Sequence, residues 1–497
     1  MNQFTLRIVD GEVSHPLMRL NKSLNFEFGP AEHIAIIGPN GAGKTLLVAT
    51  LLGKYPLRKG KLTYDFSPSA STAVYENMQY LEFRDGYGVA DSTYYYQQRW
   101  NSWDTDDFPT VREFLDLDLE KDSAVIQEIV ESFNLRDLFS KKMVFLSSGE
   151  LRKVQLARTL FKQPRILILD NPLIGLDHNT RILFLELLDK LSQQPDLQII
   201  LVIPTGEILP QFITHVLPVD QKIVQKKLPR EEYEKIDAAQ MILNQKELKK
   251  LSSALDFKLN AVSSPSKTSS EIVRLNKVNL GYDGVQLLKQ LTWTVRRGEK
   301  WKLTGENGTG KSALLSLIYA DNPQSYAQDI HLFGRKRGTG ESIWEIKSRI
   351  GYLSPEMHRS YLKNLPVIEI VASGLHDSLG LYKKTTEAEQ AACLFWMRLL
   401  QMEHLKERSF LQISSGEQRL ALLARAFVKN PELLILDEPF HGLDVYHCQR
   451  VKLLIESFCS QPDKTLIMVT HYEEDFPKIM THALHLEKNN IYLISEL

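Results

Sequence analysis

Cysteine is scarce in this chain of 497 residues, which contains three: Cys393, Cys448 and Cys459. Their number is odd and their spacing fits no metal-ligand pattern, which argues against both a disulfide framework and a structural zinc site. Cysteines that form neither disulfides nor metal sites are typical of proteins in a reducing compartment. We therefore predict a cytoplasmic protein whose thiols are inert.

Long apolar runs are also absent. The densest apolar runs, such as residues 199–203, are far shorter than the roughly 18 residues that a membrane-spanning helix needs. The first residues, MNQFTLRIVDGEV, lack the basic segment and apolar core of a secretory signal. If the protein serves a membrane process, we expect another chain to cross the membrane.

Charge of neither sign is in excess, because 60 Lys and Arg residues face 61 Asp and Glu residues and leave a net charge of -1. A balanced chain gives no electrostatic reason to expect nucleic acid or an anionic membrane surface as the main partner. The apolar fraction of 43% is sufficient for hydrophobic cores, and the length suits several domains.

The sequence does contain a long internal repeat. Four motifs occur twice, each time 267 positions apart, the difference between positions 38 and 305. The repeated positions are Gly38 and Gly305, Ser147 and Ser414, Asp170 and Asp437, and Asp177 and Asp444. Because four motifs share one separation, we predict a duplicated domain.

The repeat sets the predicted domain boundaries. The first copy is predicted over residues 4–229 and the second over residues 272–497, with a linker over residues 230–271. The linker begins with a charged helical pattern and ends in a stretch rich in Ser, Pro and Thr, which cannot bury a core.

Each copy carries a complete phosphate-loop pattern, Gly-x-x-x-x-Gly-Lys-[Ser/Thr], between an apolar strand pattern and an apolar helix pattern. The glycines let backbone amides turn toward phosphates, the lysine binds the β- and γ-phosphates, and the final hydroxyl is a ligand for Mg²⁺. ATP and Mg²⁺ are therefore the predicted cofactors. The predicted ATP-binding residues are Gly38, Pro39, Asn40, Gly41, Ala42, Gly43, Lys44 and Thr45 in the first copy, and Gly305, Glu306, Asn307, Gly308, Thr309, Gly310, Lys311 and Ser312 in the second.

An apolar strand pattern in each copy ends in an aspartate, Asp170 or Asp437. Open α/β sheets bind ligands at this edge, so these carboxylates are predicted to hold Mg²⁺ together with the two phosphate-loop hydroxyls. The next residue differs between the copies, since it is Glu438 in the second and Asn171 in the first.

The phosphate loops, the strand-end carboxylates and the Ser-Ser-Gly turns that begin at Ser147 and Ser414 together resemble the ATP-binding cassette (ABC) ATPases. The resemblance implies an α/β fold with two tandem P-loop NTPase domains. Each domain is expected to have a RecA-like parallel sheet core, an antiparallel β subdomain and a helical subdomain.

The resemblance also implies ATP hydrolysis with unequal copies. In the family, Glu438 corresponds to the general base that activates the attacking water, and His471 to a histidine that contacts the γ-phosphate. The first copy has an asparagine in place of the base, and Pro204 or Thr205 in place of the histidine. An amide cannot accept a proton, and a positioned base contributes about 10² to 10⁴-fold in rate.

Other family positions are uneven as well. The family glutamine that contacts Mg²⁺ has two candidates in the first copy, Gln97 and Gln98, and we favour Gln98 as the metal ligand. The second copy has Pro355 there, so Glu356, a water molecule or nothing completes the metal shell. The adenine-stacking aromatic of the family corresponds to Tyr282, for which packing in a turn is the alternative role.

The signature-like turns imply that the two copies act together. In the family, each nucleotide lies between the phosphate loop of one cassette and the signature of the other, and both cassettes are present on this chain. One predicted composite site adds Ser147 and Gly149 to the residues of the second copy and hydrolyses ATP. The other adds Ser414 and Gly416 to those of the first copy, binds ATP and hydrolyses it slowly.

Within the family, the chain is most similar to the tandem-cassette ATPases known as molybdate-transport or photorepair ATP-binding proteins, through residues 96–101, 373–382 and 471–477. This implies an ATPase subunit of an ABC transporter, with an integral-membrane permease as partner at the inner face of the cell membrane and no nucleic-acid partner.

The alternative is a soluble, non-transport ABC ATPase, similar to a translation factor or a DNA-repair accessory. The segment between the copies is shorter than the helical hairpin of the translation factors.

Overall fold

The computed structural model of the chain describes residues 4–14, 20–83, 109–117, 123–143, 146, 148–173, 176, 178–237, 247–248, 251, 269–282, 285–306, 309–470, 472–487 and 492–497. The described residues up to 237 belong to one compact unit, and those from 247 onward belong to a second. Among the described residues, no helix is both long and apolar enough to cross a membrane.

The first unit alternates strands and helices. Its strands are β1 (Leu6–Val13), β2 (Leu24–Phe28), β3 (Ile34–Ile37), β4 (Leu57–Tyr64), β5 (Met78–Glu82), β6 (Ile166–Asp170), β7 (Gln198–Ile203), β8 (His215–Asp220), β9 (Ile223–Val224) and β10 (Leu228–Pro229). Its helices are α1 (Lys44–Leu51), α2 (Val74–Asn77), α3 (Val111–Leu115), α4 (Ala124–Ser132), α5 (Ser148–Leu160) and α6 (His178–Ser192).

The main sheet of the first unit has the strand order β10-β8-β3-β7-β6-β5, and its neighbours from β5 to β8 run parallel. Every residue of β3, β6 and β7 is buried, as expected for parallel strands covered on both faces. Alternate residues enter different cores, because Ile34 and Ile36 pack in one cluster and Ala35 and Ile37 in another. A separate antiparallel sheet has the order β2-β1-β4.

The second unit repeats this arrangement. Its strands are β11 (Glu271–Tyr282), β12 (Val285–Arg296), β13 (Lys300–Gly305), β14 (Asp329–Leu332), β15 (Arg335–Lys336), β16 (Ile350–Leu353), β17 (Leu433–Asp437), β18 (Thr465–Val469), β19 (His482–Leu486) and β20 (Tyr492–Glu496). Its helices are α7 (Lys311–Ile318), α8 (Ile343–Lys347), α9 (Pro355–Ser360), α10 (Val367–Ala372), α11 (Glu387–Leu399), α12 (Ser415–Phe427) and α13 (Val445–Cys459).

The main sheet of the second unit has the order β16-β17-β18-β13-β19-β20, and an antiparallel sheet has the order β12-β11-β14-β15. In both units the phosphate-loop strand, β3 or β13, is therefore central, and the strand that ends in an aspartate lies two places away. Helices α10, α11 and α12 pack on one another beside the main sheet. The predicted fold class, with parallel cores, antiparallel β subdomains and helical subdomains, is confirmed.

Packing in the first unit continues beyond residue 229, where its boundary was predicted. Residues 230–237 are helical, and the Arg230 Nη1 atom donates a hydrogen bond to the Pro210 carbonyl oxygen over 2.9 Å. Tyr233 is buried in the hydrophobic core of this unit. On the second unit, Glu247 accepts a hydrogen bond of 3.1 Å from the Gln401 amide. Both ends of the predicted linker thus pack against a unit.

The aromatic cluster under α12 offers a test of the second core. Phe427 is fully buried, stacks on the Trp396 ring at 4.7 Å and meets the edge of Phe458 at 5.2 Å. We expect Phe427→Ala to lower the free energy of unfolding of the second unit by about 3–5 kcal/mol, because it leaves a cavity among packed rings. Urea denaturation followed by tryptophan fluorescence measures the change. Leu493→Ala, at a side chain that is 59% exposed, is the control, and equal effects of the two substitutions would contradict the packing described.

Candidate nucleotide-binding sites

Each phosphate loop turns directly into a helix. Gly43 precedes α1 with a φ of 102°, and Gly310 precedes α7 with a φ of 95°. Both values lie in the left-handed region, which glycine adopts without the steric cost of a Cβ atom. Lys44 and Lys311 are the first helical residues, so the amide groups of each helix start face the loop.

The two lysines bind their own loops in the same way. The Lys44 Nζ atom donates to the carbonyl oxygens of Gly38 at 2.6 Å and of Pro39 at 3.0 Å. The Lys311 Nζ atom donates to those of Gly305 at 2.5 Å and of Glu306 at 2.8 Å. Burial lowers the pKa of Lys311, and the neighbouring carboxylates oppose that shift. A cation held inside a ring of backbone groups is suited to phosphate.

The first glycine of each loop has no room for a side chain. A Cβ atom on Gly38 would lie 1.9 Å from the carbonyl oxygen of Val219 in β8. On Gly305, where φ is 141°, it would lie 2.3 Å from the carbonyl oxygen of Leu486 in β19. The loop backbone therefore lies directly against the neighbouring strand, in a cradle that only glycine permits.

In the second unit, the strand-end carboxylate meets the loop hydroxyl. The Ser312 Oγ atom donates to Asp437 Oδ2 over 3.0 Å. Asp437 is buried, and burial together with the negative charge of Glu356 raises its pKa to about 7. Glu356 lies in the first turn of α9, which Ser354 caps by accepting a hydrogen bond from the Met357 amide. Of the alternatives for completing the metal shell, Glu356 is thus the protein group whose charge reaches Asp437.

Glu438 lies beside these groups and is half-buried, with its Oε1 atom shielded from solvent. Burial raises its pKa well above the usual 4.5, and the charge of Asp437 raises it further, whereas Arg419 acts in the opposite direction. A carboxylate with a raised pKa accepts a proton more readily at neutral pH, as a general base must.

Asn171 occupies the same backbone position in the first unit. Its φ is 51°, as is that of Glu438. The Asn171 amide donates to the Val202 carbonyl oxygen at 2.8 Å, and the Glu438 amide donates to that of Val469 at 3.0 Å. The two residues follow their strands identically, so the difference between them is one of side-chain chemistry.

Asp170 of the first unit is held by a residue that the sequence did not point to. It is buried, and its Oδ2 atom accepts a hydrogen bond of 2.9 Å from the Tyr80 hydroxyl on β5. Thr45, the predicted partner of Asp170 at the metal, lies exposed in the first turn of α1.

Two arginines were also missed. Arg419 is buried in α12, and its Nε atom donates to the His441 carbonyl oxygen at 3.3 Å. Arg152 is buried in α5, and its Nη1 atom donates to the Pro172 carbonyl oxygen at 2.7 Å. Each arginine ties the signature helix to the segment after the strand-end carboxylate. Their separation of 267, the difference between 152 and 419, matches the repeat and was the signal that could have identified them.

The signature-like turn of the second unit is a helix cap. Ser414 accepts a hydrogen bond from the Glu417 amide at 3.4 Å, and the Glu417 carboxylate accepts one from the Ser414 amide at 2.8 Å. This capping box explains the glutamate at a position where the family usually has glutamine. Gly416 is buried within the same turn. In the first unit, Gly149 is buried, and a Cβ atom there would lie 2.3 Å from the Thr180 Cγ2 atom.

Several predicted site residues lie outside the described residues and stay predictions. They are Gln98, Ser147, Asn307, Gly308 and His471, together with the side chain of Tyr282, whose backbone ends β11.

The strand register shows which residue of the first unit corresponds to Pro355, the position at which the family glutamine was expected. Leu81 pairs with the residue before Asp170, and Leu353 pairs with the residue before Asp437. Pro355 is two residues beyond Leu353, and the corresponding residue of the first unit is Phe83, which is buried. Gln98 lies farther along the chain than this register position.

The residues present fit ATP with Mg²⁺. Each site offers one aspartate and one loop hydroxyl, and Mg²⁺ takes such oxygen ligands while it keeps water molecules and phosphate oxygens in its shell. Among the described residues, no group of three or more His, Cys, Asp or Glu side chains could hold a metal by itself. A metal bound jointly by protein and nucleotide agrees with this sparse set.

Phosphate loops between a central parallel strand and a helix, with a strand-end aspartate beside the loop hydroxyl, define the class of P-loop ATP-binding proteins. The family model described as ABC transporter matches residues 21–174 and 288–441. The chain therefore belongs to the ABC transporter ATP-binding family and carries two tandem cassettes.

Three relatives align with most of this chain. The ABC transporter ATP-binding protein ModF of Escherichia coli is 33% identical over 456 residues, which cover 90% of this chain and 90% of that protein. An uncharacterised ABC transporter ATP-binding protein of Schizosaccharomyces pombe is 29% identical, covering 95% of this chain and 96% of that protein. One of Saccharomyces cerevisiae is 30% identical, with 74% and 73% covered.

Adding one methyl group at Gly305 tests whether the second phosphate loop lies directly against β19. We expect Gly305→Ala to remove one nucleotide site, because its Cβ would collide with the Leu486 carbonyl oxygen and displace the loop. Equilibrium titration with a fluorescent ATP analogue measures the stoichiometry. Gly29→Ala is the control, because its Cβ would meet the flexible Glu32 side chain at 3.1 Å rather than backbone. Unchanged stoichiometry in the Gly305 variant would show that the loop is not held in this way.

Proposed function

We propose that the protein is an ATPase with two unequal sites, of which the second unit hydrolyses ATP and the first binds it without efficient hydrolysis. The observation that carries this proposal is that Glu438 and Asn171 have the same backbone conformation. They have the same φ, and each donates an equivalent amide hydrogen bond to the adjacent strand. A carboxylate and an amide in one geometry differ in a single chemical property, the ability to accept a proton.

The surroundings of Glu438 support its role as the base. It lies at the end of the strand that also carries Asp437, and the charge of Lys311 acts on both carboxylates. Lys311 would neutralise phosphate charge, Ser312 and Asp437 would hold Mg²⁺, and Glu438 would take a proton from the attacking water. Mg²⁺, when bound, supplies charge neutralisation at the β- and γ-phosphates.

The first unit keeps the lysine, the phosphate loop and the strand-end aspartate. Lys44 bonds its loop as Lys311 does, and Asp170 is retained at the end of β6. We propose that this site acts as a standing clamp for ATP. The pairing of each phosphate loop with the signature turn of the other cassette, expected from the family, is part of the same proposal.

We further propose that ATP hydrolysis energises a membrane permease of molybdate or related type, with the protein at the inner face of the membrane. Support comes from the relatives, which are named as ABC transporter ATP-binding proteins. The proposed permease is a separate chain, in keeping with the finding that no described helix is long and apolar enough to cross a membrane. A soluble, non-transport ABC ATPase is the second candidate, favoured by the tandem arrangement of both cassettes on one chain.

The asymmetry is tested by one matched pair of variants. We expect Glu438→Gln to lower ATP turnover by about 10² to 10⁴-fold, because the base is lost while its shape is kept. Asn171→Gln is the matched variant, and turnover should be kept because the proposal gives this amide no proton to accept. Phosphate release measures both, with nucleotide affinity recorded in parallel. Comparable losses of turnover in the two variants would contradict the assignment of hydrolysis to the second unit.

The partner is identified by trapping. We expect Glu438→Gln protein, held with ATP, to retain one multi-span membrane protein during purification from a membrane fraction. Mass spectrometry of the retained proteins provides the measurement, with Lys311→Ala as the control in which the second site cannot hold ATP. Ribosomes or DNA-repair proteins without a membrane protein would instead favour the soluble candidate and contradict the permease.

A further inference from the structure

The two strand-end aspartates take their hydrogen bonds from different places. In the second unit, Asp437 accepts from Ser312, a residue of the phosphate loop. In the first unit, Asp170 accepts from the Tyr80 hydroxyl, which belongs to the neighbouring strand of the sheet. The first carboxylate is thus held from within the fold, at a distance of 2.9 Å.

A tyrosine occupies the equivalent place in both units. Tyr80 pairs with Ile168, two residues before Asp170, and Tyr352 pairs with Ile435, two residues before Asp437. The side chains nevertheless have different neighbours. The Tyr352 ring stacks on the Tyr319 ring at a centroid distance of 4.1 Å and an angle of 12°.

The residue that corresponds to Tyr319 is not aromatic in the first unit. Tyr319 is the eighth residue after Lys311, and the eighth residue after Lys44 is Leu52. Leu52 and Tyr80 both pack against the same hydrophobic cluster of the first unit. An aliphatic side chain therefore stands at the position that corresponds to Tyr319, and the Tyr80 hydroxyl donates its hydrogen bond to Asp170.

We propose that Tyr80 is a positioning residue that holds Asp170 ready to bind Mg²⁺ in the first unit. This inference rests on the proposed function, in which the first unit binds ATP. Carboxylates that ligate metals are commonly oriented by a hydrogen-bond donor behind them, and loss of such a donor costs about 10- to 100-fold in metal affinity. A carboxylate has two oxygens with two lone pairs each, so accepting one hydrogen bond is compatible with binding a metal or its water.

The first site has therefore lost its catalytic base without losing its ability to bind Mg²⁺ and ATP. Asn171 removes the base, whereas Tyr80 maintains the metal ligand that ATP binding needs. The first unit thus keeps Mg²⁺-dependent affinity for ATP through the hydrogen bond from Tyr80 to Asp170. In the second unit, Ser312 donates the hydrogen bond to the corresponding Asp437.

The test measures how much Mg²⁺ strengthens nucleotide binding at the first site alone. The full-length chain with Lys311→Ala silences the second site, and Tyr80→Phe is added to it. A fluorescent ATP analogue is titrated with Mg²⁺ and again with EDTA. We expect Tyr80→Phe to reduce the gain in affinity from Mg²⁺ by about 10-fold or more, while affinity in EDTA is unchanged because Lys44 and the loop amides are intact.

The matched control is Tyr352→Phe in a chain with Lys44→Ala, where the gain from Mg²⁺ should be unchanged because Ser312 holds Asp437. Thermal unfolding confirms that each variant is folded. An unchanged or larger gain from Mg²⁺ in the Tyr80 variant overturns the inference and leaves the proposed function intact, as does equal weakening with Mg²⁺ and with EDTA. A Lys311→Ala chain that binds no nucleotide overturns the inference together with ATP binding by the first unit.

Discussion

The contact between the phosphate loop and the adjacent strand is the constraint on which the rest of each unit depends. Gly305 lies so close to the Leu486 carbonyl oxygen that no Cβ atom fits, and Gly38 meets Val219 in the same way. The loop can lie there only if the strand before it is flanked by a parallel neighbour, which the central position of β3 and β13 provides. The sheet order then brings the strand-end aspartate to the same edge.

Charge is concentrated at this edge in the second unit. Asp437 is buried, Glu438 beside it is half-buried, and the charge of Asp437 raises the pKa of Glu438. Lys311 and Arg419 offset that repulsion from two directions, one from the phosphate loop and one from the signature helix. The arrangement couples the loop, the strand end and α12 through charges that are shielded from water, where such interactions are strong.

The fold could be predicted because its signals are local. Buried parallel strands are continuous apolar runs, and four motifs at one separation revealed the duplication. Tyr80 could not be predicted in this way, because its contact with Asp170 joins residues 90 positions apart in the chain. The repeat was no guide either, since Tyr80 and Tyr352 are separated by 272 positions rather than 267, the difference between 80 and 352. An insertion of five residues between the phosphate loop and β16 thus hides the equivalence.

Asn171 and Glu438 share a left-handed backbone conformation. This conformation makes substitution between the two residue types easier in one direction than in the other. Asparagine tolerates this conformation better than glutamate, for which it costs about 1 kcal/mol. A mutation from glutamate to asparagine relaxes the chain as it removes the base, whereas the reverse restores the base against the strain. Duplicated cassettes of this kind therefore lose one catalytic centre more easily than they regain it, and an active glutamate persists where selection for turnover maintains it.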